Sequence, residues 1–146
     1  MVASVALIGL GVGASFYSQH QIVASVIAEV QKRLAMKDLL HVTIGDNESM
    51  LGKQRTQSQD DANAYVNEAN IWTAKTGQLI EDAYGKGERD VFMNDAGIPP
   101  INAINNQNAL VSSELIARLQ RLNELMSRVD TISMQPDFDP NNYHAK

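Results

Sequence analysis

Cysteine is absent from the 146 residues, so the chain has no disulfide, no thiolate nucleophile and no thiolate metal site, and nothing ties it to an oxidising compartment. Histidine is scarce. His20, His41 and His144 lie far apart and none repeats at i+3 or i+4, which excludes a helical histidine pair for a metal. Basic charge is in deficit, with 12 Lys and Arg against 17 Asp and Glu for a net charge of −5. Tight nucleic-acid binding needs clustered cations to displace phosphate counterions, so DNA is not expected as a direct ligand. Charge of either sign is missing from residues 1–28, and the first charged side chain is Glu29. A secretory signal carries Lys or Arg ahead of its apolar core, whereas here Met1 leads directly into Val2-Ala3-Ser4-Val5, so export by this segment is not expected.

What the segment has instead is apolar length and glycine. As a helix, Val2 to Tyr17 would span about 24 Å, short of the roughly 30 Å hydrocarbon core of a bilayer. Continued through Ser18-Gln19-His20-Gln21 into Ile22–Ala28 it would be long enough, with a polar patch at its middle, which suits a protein-lined pore wall better than lipid on all sides. Residues 5–15, VALIGLGVGAS, also satisfy G-x-G-x-x-G/A through Gly9, Gly11 and Ala14. A dinucleotide site needs a strand before that turn and a carboxylate about twenty positions on for the ribose. Glu29 falls within a helical pattern, Asp46 comes too late, and no β-α alternation follows, so nucleotide binding is rejected. On a helix, Gly9, Gly11 and Gly13 instead let a second helix approach closely. The expected oligomer or membrane contact is Val5, Leu7, Ile8, Gly9, Gly11, Gly13 and Phe16.

The remainder reads as helical. Ile22, Val23, Val26, Ile27, Val30 and Leu34 recur at spacings of three and four, predicting an amphipathic helix that ends near Lys37. Leu39–Ile44 reads as an extended linker stopped by Gly45-Asp46-Asn47. A long, thinly apolar helix is expected over residues 49–84, ended by Gly85 and Gly87. Gly97-Ile98-Pro99-Pro100 and the asparagines after it form a break. Beyond it Leu115, Leu119, Leu122, Met126 and Val129 are spaced four, three, four, three, a heptad seam that needs a helical partner. Arg118, Arg121, Glu124 and Arg128 flank the seam and read as a solvated face. The tail after Gln135 should be extended, held only if Phe138 and Tyr143 dock.

The expectation is therefore an all-α, elongated chain. It comprises a hydrophobic N-terminal helical segment (1–37), a linker and long polar helix (38–93), and a Pro/Asn-rich break with a coiled-coil-like helix and extended tail (94–146). Catalytic patterns are lacking: there is no nucleophile elbow and no P-loop lysine, and Asp60-Asp61 and Glu81-Asp82 point about 100° apart on a helix, so neither pair forms a dyad. Trp72, Tyr65 and Tyr84 read as core or interface anchors rather than a stacking platform. No enzyme, cofactor or metal is expected.

One further pattern carries a resemblance. The glycine-containing apolar lead is followed by IGDNESMLGKQR from Ile44 to Arg55 and by NEAN at Asn67 to Asn70. Together these resemble the small internal virion (DNA-ejection) proteins of short-tailed bacteriophages, over about half the chain. The match centres on Ile44-Gly45, Glu48-Ser49-Met50-Leu51-Gly52 and Glu68-Ala69-Asn70, and Asp46-Asn47 intervenes where the family pattern runs straight on. The resemblance implies a protein stored in the virion and oligomerised at infection, with other ejection or tail proteins, into a conduit at the host outer membrane. It brings no catalytic residues; host lipid is a further partner, and DNA is only translocated cargo. The alternatives are a helical component of another assembly, such as a pilus-tip or secretion-system protein, and, behind it, a small nucleotide-binding protein.

Overall fold

The computed structural model describes residues 4–52, 58–96 and 107–144, with side chains over 19–52, 58–96 and 108–144. It is all-helical: α1 (Ser4–Gly52), α2 (Gln59–Tyr84), α3 (Lys86–Met93), α4 (Gln107–Arg128), and a single 3-10 turn at Pro140–Asn142. Among the described residues there is no strand. The chain divides into two compact units, Met1–Leu34 and Ala35–Lys146.

The expected linker at Leu39–Ile44 is helical instead, and α1 runs on to Gly52. The reason lies in which side chains are buried. Met36, Leu40 and Ile44 follow one another at intervals of four and Asn47 comes three later, all on one helical face and all buried, whereas Val42 is exposed. A strand would have put Leu40, Val42 and Ile44 on the same side. Thr43 also closes its hydroxyl onto the carbonyl of Leu39 at 2.8 Å, which needs helical geometry. Gly45 costs about 1 kcal/mol of helix propensity relative to alanine, a penalty smaller than the burial of the apolar side chains around it.

The middle helix correspondingly starts at Gln59, not 49, and Met50 and Leu51 belong to the end of α1. Its start is a reciprocal cap. Ser58 Oγ accepts from the Asp61 backbone N–H and the Asp61 carboxylate accepts from the Ser58 N–H, each at 3.1 Å. Asp61 therefore serves as a helix cap.

Gly85 ends α2 with φ 90°, ψ 174°, donating its N–H to the Glu81 carbonyl at 2.8 Å. That backbone conformation is essentially restricted to glycine, and it turns the chain directly into α3, which contains Gly87. The C-terminal helix closes at Arg128. After it Gln135 donates its N–H to the Ala83 carbonyl at 2.7 Å, Phe138 is buried, and its ring lies 5.5 Å from that of Tyr143. The tail is thus held by the docking of its two aromatic side chains.

The core of the second unit draws on all four helices and the tail. Trp72 of α2 sits edge-on to Phe92 of α3 at 6.0 Å and donates its indole N–H to the Thr43 carbonyl of α1 at 3.1 Å. Tyr65 donates to Ser112 Oγ at 2.9 Å, which in turn donates to the Asn108 carbonyl, so a buried hydroxyl pair joins α2 to α4. Asn47, fully buried, donates Nδ2–H to the Leu115 carbonyl at 3.2 Å and joins α1 to α4.

Candidate assembly surface

The described side chains of the first unit form an exposed apolar row. Over residues 22–34 of α1, Ile22, Val23, Val26, Ile27, Val30 and Leu34 are each between 51% and 62% exposed. At 100° per residue these six fall within an arc of about 140°, with Val30 near its centre. The one charged side chain inside that arc is Arg33, at its margin, and its Nε is held by the Glu29 carboxylate one turn back at 2.9 Å. Ser25, Ala28 and Lys32 occupy the other side of the helix, with the Ser25 hydroxyl closed onto the Ile22 carbonyl at 2.8 Å. Isolated exposed aliphatic residues are ordinary, but a contiguous row on one face marks an interaction site.

The contact set expected from sequence, Val5, Leu7, Ile8, Gly9, Gly11, Gly13 and Phe16, lies outside the residues whose side chains are described; its backbone belongs to α1. Val5–Ile8 is accordingly helix rather than the strand that a dinucleotide fold would need.

The C-terminal seam is spent within its own unit. Leu115, Leu122 and Val129 have no exposed surface, and Leu119 and Met126 pack half-buried against the same core.

Its flanking arginines depart from the expected solvated face. Arg118, buried, pairs with Asp95 at 3.0 Å and Glu114 at 3.2 Å, while Arg121 donates to the Phe92 carbonyl at 3.1 Å. Arg128 grips Glu88 through two parallel hydrogen bonds of 3.0 and 2.8 Å, and those bonds raise its pKa further above the ordinary value. Glu81 pairs with Arg89 at 2.9 Å. Sequence spacing placed these arginines beside the seam, and it carried no sign that α3 and Asp95 would fold back to meet them.

Clefts in the second unit include three of some size. One, of 390 Å³, is lined by Asp82, Asp137, Asp139, Tyr143 and His144 among others. Burial, with the Asp82 carboxylate nearby, pushes the Tyr143 phenol above its ordinary pKa. Two more, of 220 and 240 Å³, both border on Trp72, Lys75 and Asp46. Among the described residues no group of His, Cys, Asp and Glu could hold a metal ion. Among the same residues no helix is long and apolar enough to cross a membrane. Comparison with known proteins finds no matching family model, no matching curated protein and no matching solved structure.

Proposed function

We propose that this chain is a virion ejection protein of a short-tailed bacteriophage, which self-associates as part of a helical conduit for DNA across the host envelope, at the outer membrane. The observation that carries the reading is the exposed apolar row at 22–34, which continues the uncharged lead of residues 1–28 and has the chemistry of a surface meant to be covered after release. In this reading the N-terminal helix supplies the hydrophobic contacts of an elongated helical assembly and the glycines at 9, 11 and 13 allow close helix approach. Residues 35–146, with their own core, remain folded throughout. The resemblance at Ile44–Gly52 and Glu68–Asn70 supplies the phage context. A negative net charge is also suited to a passage that must not retain DNA.

Mass spectrometry of purified virions from the native source tests the setting: the chain should be a stoichiometric virion component, and its absence there would sink the reading. Liposome leakage tests the activity. The parent should release trapped dye, and Gly11→Leu should abolish release while leaving helicity nearly unchanged, because a bulky side chain prevents close backbone approach.

A further inference from the structure

We propose that the 220 Å³ cleft between α1 and α2 binds a free aromatic amino acid, held as a zwitterion by Lys75 and Asp46 with a hydrogen bond from Thr76. The cleft lies within the second unit, and the proposal is independent of the conduit reading. Thr76 is the observation that carries it. This residue lines the cleft and is only 3% exposed, yet its hydroxyl has no hydrogen-bond partner among the described residues. A threonine inside a helix commonly closes onto a carbonyl one turn back, as Thr43 in the same cleft does onto Leu39 at 2.8 Å. A buried hydroxyl without a partner costs stability, so one that borders a cleft is suited to a ligand.

The mouth of the cleft sets the charge of that ligand. Lys75 and Asp46 are both exposed, border the cleft from opposite helices, and have no ion-pair partner among the described residues, each other included. A ligand of single charge would satisfy one of them and be repelled by the other, whereas one with both an ammonium and a carboxylate satisfies both. An α-amino acid has the two groups on one carbon. Within a peptide no residue keeps both, so the ligand is the free amino acid rather than a protein segment. The inner walls set its side chain. Val42 and Leu79 line the cleft together with the rings of Trp72 and Tyr143, which favour an aromatic group through edge-on or offset contact. At roughly 30 Å³ per water molecule the volume corresponds to about seven waters, room for a benzyl group and too little for a nucleotide. The neighbouring cleft of 240 Å³ shares Trp72, Lys75 and Asp46 but is lined by neither Thr76 nor Tyr143.

Trp72 is the only tryptophan and borders the cleft, so its emission reports occupancy. Titrating the full-length protein with phenylalanine, with tryptophan alone excited, should change that emission along a saturating curve. Phenethylamine, which lacks the carboxylate, and 3-phenylpropanoate, which lacks the ammonium, should each bind about tenfold more weakly, and alanine, which lacks the ring, should give no response. Thr76→Val keeps the shape of the side chain and removes the hydroxyl; it should weaken phenylalanine binding by about tenfold, as should Lys75→Gln and Asp46→Asn. Ile71→Ala, in the neighbouring cleft alone, should bind like the parent. Circular dichroism melts identify the variants that keep the parental fold, and the two exposed charge substitutions keep the test decisive if Thr76→Val does not. A parent without a saturable response, singly charged analogues that bind as well as phenylalanine, or folded variants with unchanged affinity would overturn the assignment. So would loss of binding in Ile71→Ala, which would put the ligand in the other cleft. None of these outcomes bears on the virion measurement, so the site and the conduit reading stand or fall separately.

Discussion

Leu122 illustrates how single side chains hold the second unit together. It is fully buried at the centre of the seam, so Leu122→Ala should lower stability by about 2–5 kcal/mol, the range for an aliphatic truncation that leaves a cavity. Urea unfolding checks this, and an unchanged midpoint would mean that the site is not packed as described. The seam was legible because its spacing is a direct consequence of helix geometry. What covers it was not: Asn47 sits 68 residues from its partner Leu115, and no local pattern announces so distant a hydrogen bond. Arg118 was illegible for a related reason. Charged side chains are buried only where partners arrive from elsewhere in the fold, here Asp95, 23 residues away.

At the scale of elements, all four helices carry apolar periodicity, yet their boundaries depend on competition between local signals and packing. Gly45-Asp46-Asn47 reads as a stop, but the stop is weaker than the burial of Met36, Leu40 and Ile44 on one face. Gly85 is a stop of another kind, since its backbone occupies a region that side chains exclude. The two glycines should therefore respond oppositely to the same substitution. Gly45→Ala, whose new methyl meets nothing within 4 Å, should raise stability by about 0.5–1 kcal/mol through helix propensity. Gly85→Ala should lower it by about 1–3 kcal/mol, because alanine is strained at that φ and ψ and its methyl would lie 3.0 Å from the Gln135 side-chain amide. Thermal melts of the pair decide the point; a loss at Gly45 would mean that the helix does not run through it.

For the molecule as a whole, the sequence indicated the all-helical class and the uncharged lead. The difference between two apolar faces was not legible from it, because residues 22–34 and the seam share a helical periodicity although the first is exposed and the second buried. The tail gives the second unit a dependence on alkaline pH. Burial favours the neutral Tyr143 phenol in the folded state, placing its pKa above the unfolded value of about 10. The stabilisation is complete below pH 10 and is lost as pH rises through and beyond that value, since the unfolded chain releases the proton first. Chemical denaturation between pH 8 and pH 11 should show falling stability at the upper end, and Tyr143→Phe should flatten that decline. An equally steep decline in the variant would place the titrating group elsewhere.

On the proposed self-association, the exposed row of α1 also makes concentration a structural variable. Between Ile22 and Leu34 the backbone hydrogen bonds are supported by local propensity, and five of the six apolar residues there are β-branched, which weakens a helix standing alone. Between Met36 and Met50 the same helix is held by a buried face. Amide hydrogens in the first stretch should exchange with deuterium through local openings far more readily than those in the second, and their protection should rise with protein concentration while that of the second stays fixed. A dilute chain and a crowded one would then differ in how much of α1 persists as helix, so that assembly completes the secondary structure that it uses.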